Sequence, residues 1–152
     1  MLFSLILSLT AWAQDKGTDD YVVAVDQCER LLQERKYHEG IDFGERASTL
    51  AVQLYGEESK ESVRAKACWG GHLVNNSQVQ EAEKVLTEMK GLSEQMGLTD
   101  DVVYASILHD LGESYWYQRK MDKIETLWKR SLEIRKTVCM ARRCFELLLC
   151  FL

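Results

Sequence analysis

The side chains best able to do chemistry in this chain of 152 residues are three histidines and five cysteines. His38, His72 and His109 lie far apart in the sequence, and we take none of them as half of a metal-ligand pair on a helix. No serine or cysteine falls in a nucleophile motif, and no glycine-rich stretch forms a phosphate loop or a dinucleotide fingerprint. The sequence therefore predicts a protein that is not an enzyme and that has no metal and no cofactor.

The cysteines are divided between the body of the chain and its last residues. Cys28 and Cys68 lie in the body, whereas the other three are Cys139, Cys144 and Cys150. An exported protein can form disulfides, but an odd count leaves at least one thiol unpaired. We expect Cys28 and Cys68 to be buried as small apolar side chains.

Composition indicates one helical domain. Proline, the strongest helix breaker, is absent, and 46% of the residues are hydrophobic against 28% charged. The net charge of −5 argues against a nucleic-acid partner, which usually requires a basic surface. We expect an all-α protein.

The first residues resemble an export signal. An apolar run extends from Leu2 to Ala13 and ends in Ala11-Trp12-Ala13, a small-x-small cleavage pattern, but no Lys or Arg precedes it. The run is too short to span a bilayer as an anchor. We interpret residues 1–13 as a signal peptide of an exported protein, periplasmic or secreted, with no membrane span in the mature chain. The alternative is an ordinary amphiphilic end of a cytoplasmic protein.

A period of 42 residues organises the rest of the chain. It aligns Cys28, Gly70 and Gly112 in one column, and neighbouring columns are also apolar or small. These columns include Leu31/Leu73/Tyr115, Gly40/Ala82/Ile124, Phe43/Val85/Leu127, Leu50/Leu92/Ile134 and Leu54/Met96/Val138. A repeat of this length is typical of stacked helix pairs, because each pair exposes an apolar face that only a neighbouring pair can cover.

Within each unit the apolar residues recur at helical spacing. They predict helices at 20–34, 37–55, 59–75, 78–96, 100–118 and 121–137. Residues 14–138 would thus hold three helix pairs, at about 20–55, 59–96 and 100–137. Residues 139–152 would be a partial fourth repeat or a capping helix. Gly70, Gly112 and Ala82 would let helix backbones approach closely, while Leu86, Trp128 and other large side chains fill the gaps.

These residues resemble the tetratricopeptide repeat family. Leu111-Gly112, Tyr115 and Trp128 match its large-small packing signature, and the long period is similar to the variant typified by kinesin light chain. The resemblance covers about residues 20–138, with Cys28 in place of the small glycine in the first unit. It implies a right-handed superhelical stack of antiparallel helix pairs whose first helices line an inner surface.

The same resemblance implies which residues face that inner surface. In the first unit they are Val25, Glu29, Leu32 and Gln33; in the second Arg64, Ala67, Gly71, Val74 and Asn75; in the third Ser106, His109, Glu113, Trp116 and Tyr117. As ligand-binding residues we select Arg64, Asn75, His109, Glu113, Trp116 and Tyr117. Trp116, Tyr117 and His109 together would form an aromatic anchor point; alternatively, Trp116 packs against a fourth helix pair.

The resemblance favours an exported protein-interaction module that binds a peptide or a partner segment on its concave helix face. The alternative is an N-terminal sensory or ligand-binding fragment of a larger receptor or signalling protein that contains such repeats. The last residues carry an apolar stripe that includes Leu148 and Phe151. For that reason we also expect that the chain can self-associate through residues 139–152.

Overall fold

The computed structural model describes the backbone of residues 2–149 and the side chains of residues 17–140. It contains helices α1 (Leu2–Gln33), α2 (Tyr37–Tyr55), α3 (Lys60–Asn75), α4 (Val79–Gln95), α5 (Val102–Tyr117) and α6 (Ile124–Leu149), with a 3₁₀ turn at Met121–Lys123 before α6. No strand occurs within residues 2–149. The prediction of an all-α protein is therefore confirmed.

The 42-residue period of the sequence is repeated in the backbone. After each odd-numbered helix one residue adopts a left-handed conformation, and the three are Arg35, Ser77 and Arg119, with φ of 59°, 67° and 60°. In each case the next amide donates to a carbonyl five residues back, at 2.9 Å, and so satisfies an open acceptor of the helix end. The same turn therefore joins the two helices of all three pairs.

Two polar side chains fix where α3 and α5 begin. The Ser59 hydroxyl accepts a hydrogen bond from the Ser62 amide at 3.1 Å, and the Asp101 carboxylate accepts one from the Val103 amide at 2.6 Å. Both residues have extended backbone, as N-caps require. Gly56, at φ 87°, ends α2, and Gly97, at φ 71°, follows α4. Glycine takes this conformation without the strain that a side chain would add.

Neighbouring helices pack on one another along the chain, and α3 also packs against both α1 and α5. A Cβ added to Gly70 would lie 2.6 Å from the Leu86 side chain, and one added to Gly112 would lie 2.3 Å from the Trp128 indole. These distances confirm the predicted close packing of the glycine column. Gly40 of α2 likewise leaves room for the buried ring of His72, which lies on α3.

The prediction for Cys28 and Cys68 was wrong in one respect, because the two residues are not free thiols. Both are buried as expected, but they form a disulfide that joins α1 to α3, with their Cα atoms 6.4 Å apart. The two cysteines belong to different columns of the repeat, so the period does not pair them. The direct packing of α1 on α3 brings the two cysteines together. Cys139 is an exposed free thiol, and the side chains of Cys144 and Cys150 lie outside the described residues.

Two helices are longer than expected. The first begins at Leu2 and not near residue 20, and α6 passes through residues 138 and 139 without a turn, so no separate segment begins there. Neither stretch contains a proline, and no glycine follows Ile124 in α6. Export through residues 1–13 and self-association through residues 139–152 stay predictions, since the side chains of 1–16 and 141–152 are outside the described residues.

We predict that the disulfide contributes substantially to stability. Replacing Cys28 and Cys68 with serine should lower the free energy of unfolding by about 3–4 kcal/mol, because the bond restricts a long loop of the unfolded chain. Denaturant unfolding monitored by circular dichroism measures this difference. A Cys139→Ser variant serves as the control and should match the wild type, and equal stability of the disulfide variant would contradict the prediction.

A second prediction concerns the close packing of Gly112. Gly112→Ala should lower the free energy of unfolding by about 1–3 kcal/mol, since the new methyl group overlaps the Trp128 indole. Gly91→Ala is the matched control, because a Cβ on Gly91 meets nothing within 4 Å. That change should raise stability by about 1 kcal/mol through better helix propensity. Thermal unfolding measures the stability of both variants. If both substitutions lower the stability, or both raise it, the prediction is wrong.

Candidate functional site

An open groove runs across the three odd-numbered helices, and we call it the inner groove. Its cavity has a volume of about 280 Å³. It is lined by Glu29, Leu32 and Gln33 of α1, Arg64, Ala67 and Cys68 of α3, and Val102, Val103, Ser106 and Asp110 of α5. Six of these ten residues were expected on the inner surface, whereas Cys68, Val102, Val103 and Asp110 were not.

Arg64 is the basic residue of the inner groove, and its charge is already engaged. Its Nε and Nη2 donate to the two carboxylate oxygens of Glu29 at 2.6 and 2.8 Å, and Nη2 lies 3.6 Å from Asp26. The hydrogen bonds that the guanidinium donates to Glu29 raise the pKa of Arg64 further. A bidentate pair of this kind holds α1 and α3 together and fixes the orientation of both side chains. Arg64 therefore helps to fix the wall of the groove. Because its charge is already paired with Glu29, it is not free to bind an anion by itself.

The remaining charge around the inner groove is negative. Asp110 lines it and lies 3.2 Å from Nδ1 of His109, and Asp26 lies beside Arg64. The apolar part of the groove wall consists of Leu32, Ala67 and Val103. The groove thus offers apolar walls together with carboxylates, an arrangement complementary to a cationic and apolar ligand.

Three of the predicted binding residues lie on a second surface, on the flank of α5. The indole of Trp128, from α6, stacks on the rings of His109 and Trp116, with centroids 6.3 Å away in both cases. Trp128 Nε1 also donates a hydrogen bond to the His109 carbonyl at 3.1 Å. Glu113 lies on α5 between His109 and Trp116. We call these four residues the aromatic end face; Trp128 was expected only to fill the core.

The last two predicted residues lie at helix ends. Asn75, the final residue of α3, donates through Nδ2 to the Gly71 carbonyl at 2.8 Å and so satisfies a helix-end acceptor. Tyr117 is the final residue of α5 and is 60% exposed. The six residues selected from the sequence are therefore distributed over more than one surface, with Arg64 alone in the inner groove.

His109, Asp110 and Glu113 bring three possible metal-ligand atoms within 4.8 Å of one another. The sequence analysis overlooked this group, although Glu113 follows His109 by one helical turn. His109 Nδ1 lies 3.2 Å from Asp110, and this contact raises the pKa of His109. Partial burial raises the pKa of Glu113. His109 and Asp110 contact each other in this group, and Glu113 completes it.

A second group consists of Cys28, Cys68 and His72, all buried. Both sulfur atoms belong to the disulfide and are not available as thiolate ligands. The His72 Nε2 lies 2.9 Å from the Cys28 carbonyl and donates to it. Burial lowers the pKa of His72, so the neutral ring is favoured. The role of this cluster is structural.

No protein-family model matches the chain, and no curated protein matches it. Within the described residues, no helix is both long and apolar enough to cross a membrane. The inner groove and the aromatic end face are therefore the features from which we infer a function.

The two histidines provide a direct test of these environments. We predict that His109 titrates above the usual range of histidine, because Asp110 favours its charged form, whereas burial makes His72 titrate below it. Titration of the ring protons by NMR measures both values. Asp110→Asn should lower the pKa of His109 clearly and that of His72 only slightly, because the charge of Asp110 is the smallest of the influences on His72. A His109 pKa that does not respond to this substitution would show that the contact with Asp110 is not formed in solution.

Proposed function

We propose that this protein is an interaction module of the tetratricopeptide type, in which three helix pairs form a right-handed superhelical stack that binds a peptide or a partner's segment. The recurrence of the left-handed turn at Arg35, Ser77 and Arg119 supports the repeat. The observation that carries the function is the inner groove, which spans α1, α3 and α5 and opens to solvent between them. In such a stack the first helices of the pairs form the concave surface.

The size of the inner groove favours a peptide over a small-molecule cofactor. Its volume of about 280 Å³ lies just below the range of roughly 300–1,000 Å³ that is typical of small-ligand pockets. An extended or helical segment needs less, because it inserts a few side chains and leaves its backbone at the rim. We therefore infer that the ligand is a polypeptide that places two or three side chains between the helices.

The chemistry of the groove specifies those side chains. The carboxylate of Asp110 favours Lys or Arg, and the walls of Leu32, Ala67 and Val103 favour aliphatic neighbours. Electrostatic complementarity of this kind contributes mainly to specificity and to the association rate. The partner segment in this proposal alternates basic and apolar residues.

The disulfide supports the localisation inferred from the first residues. Disulfides persist in oxidising compartments and are rare where thiols are kept reduced. A buried bond between α1 and α3 fits an exported protein, periplasmic or secreted, better than a cytoplasmic one. Export is thus part of the proposed function.

Selection of peptides from a random display library tests the proposed groove. We expect enriched sequences to combine basic and aliphatic residues, and their binding to weaken as salt rises. Ser106→Trp should reduce affinity at least about tenfold, because the indole would fill the groove between α3 and α5. Isothermal titration calorimetry measures the affinities.

The matched control is Thr49→Trp on α2. Both hydroxyls donate to a carbonyl one turn back in their own helix, Ser106 to Val102 at 3.1 Å and Thr49 to Glu45 at 3.0 Å. Both substitutions remove such a bond, although Ser106 also accepts one from Arg135 at 3.2 Å, and Thr49 is away from the inner groove. Equal binding by both variants, or no enrichment of any peptide, would refute the proposed function.

A further inference from the structure

The aromatic end face occupies the position that the following helix covers in the preceding unit. One period before His109 and Trp116 lie Ala67 and Val74, which are 5% and 1% exposed. They are buried in a core cluster to which Leu111 of α5 belongs. In the third unit the same columns are open, and Trp116 is 52% exposed. The geometry of this surface is therefore that of a face built to be covered by a helix.

The repeat also indicates what charge that helix carries. Glu113 and Glu29 share a column, and Glu29 accepts both hydrogen bonds from Arg64 on the helix that covers it. Glu113 forms no hydrogen bond or ion pair with any residue whose side chain is described. The nearby charge of His109 does favour the ionised form of Glu113. A partly buried carboxylate without a donor favours a cationic partner. In the first unit that partner is an arginine of the next helix.

We propose that the aromatic end face is a docking site for an amphipathic helix of another protein, and that this helix places an arginine or lysine on Glu113 and apolar side chains on Trp116 and Trp128. The arrangement repeats the way in which α3 covers α1. This surface shares no residue with the lining of the inner groove, although His109 contacts Asp110 of that lining. One partner can therefore occupy the end face while the groove binds a peptide.

A second copy of this chain fits the end face less well. In a head-to-tail stack its α1 would cover the face, and the residue of α1 in the column of Arg64 is Val22. Val22 is 45% exposed and apolar, so it would cover the Glu113 carboxylate without pairing it. Burying an unpaired charge is unfavourable. A partner helix with a basic residue at that position avoids this cost.

A peptide made from α3 itself is a suitable probe. It contains residues 60–75 with Cys68→Ser, and a lactam bridge on its solvent-facing side holds it helical. The protein is used as the full chain with the disulfide intact, which keeps its own α3 in place on α1. Binding is followed by the indole NMR signals of Trp116 and Trp128 at peptide concentrations into the millimolar range.

We expect the peptide to shift these two signals, and Trp116→Ala to abolish most of the affinity. Glu113→Gln should weaken binding about two- to fivefold, the range that one exposed ion pair provides. Arg64→Gln in the peptide should weaken binding to the wild-type protein by the same factor and should have no effect on the Glu113→Gln protein. This double-mutant cycle isolates the pair from other consequences of either substitution.

Glu45→Gln, an exposed change on α2, is the control and should bind the peptide like the wild type. The proposal is overturned if the indole signals do not shift at millimolar peptide, or if the effects of Glu113→Gln and Arg64→Gln are simply additive. Indole signals that shift with protein concentration alone would show that a second copy is the occupant, and would also overturn it. None of these results depends on a ligand in the inner groove.

Discussion

The burial of one apolar face per helix pair determines this structure, since a pair cannot cover that face by itself. Contact between α1 and α3 shows how the constraint is met: the disulfide of Cys28 and Cys68 and the bidentate pair of Arg64 with Glu29 join the two helices. Close approach of neighbouring helices in turn requires small residues at the contact, and Gly70 and Gly112 meet this requirement. The inner groove exists because helices packed in this manner lie side by side and leave a continuous surface.

The two surfaces have different physical origins. In the inner groove, side chains of three helices meet, and their charges are partly compensated, as for Arg64. At the aromatic end face, stacking of Trp128 with Trp116 and His109 covers only part of the apolar area. Aromatic groups that stay half exposed on a rigid helix pair are typical anchors of an interface. We propose that the groove binds one partner and the end face another.

Most of the helical architecture could be predicted from the sequence, because the period, the glycine column and the turn residues all follow from local patterns. The packing of Trp128 on Gly112 is one such case. The disulfide could not be predicted, since Cys28 and Cys68 are 40 residues apart and only the packing of α1 on α3 joins them. Asp110 was missed in the groove for a related reason, because the family pattern assigns faces to columns and not to individual carboxylates. The length of α1 and α6 was not evident either, because the sequence pattern predicted a first helix from residue 20 and a sixth helix to residue 137.

We propose above all that the inner groove of three stacked helix pairs binds a polypeptide segment. The most direct measurement is a set of intermolecular nuclear Overhauser effects between a bound, selected peptide and methyl groups of the protein. The account predicts contacts with Leu32 of α1, Ala67 of α3 and Val103 of α5 in the same complex, because these residues line one groove. Contacts confined to α2 and α4, with none to the three odd-numbered helices, would contradict it.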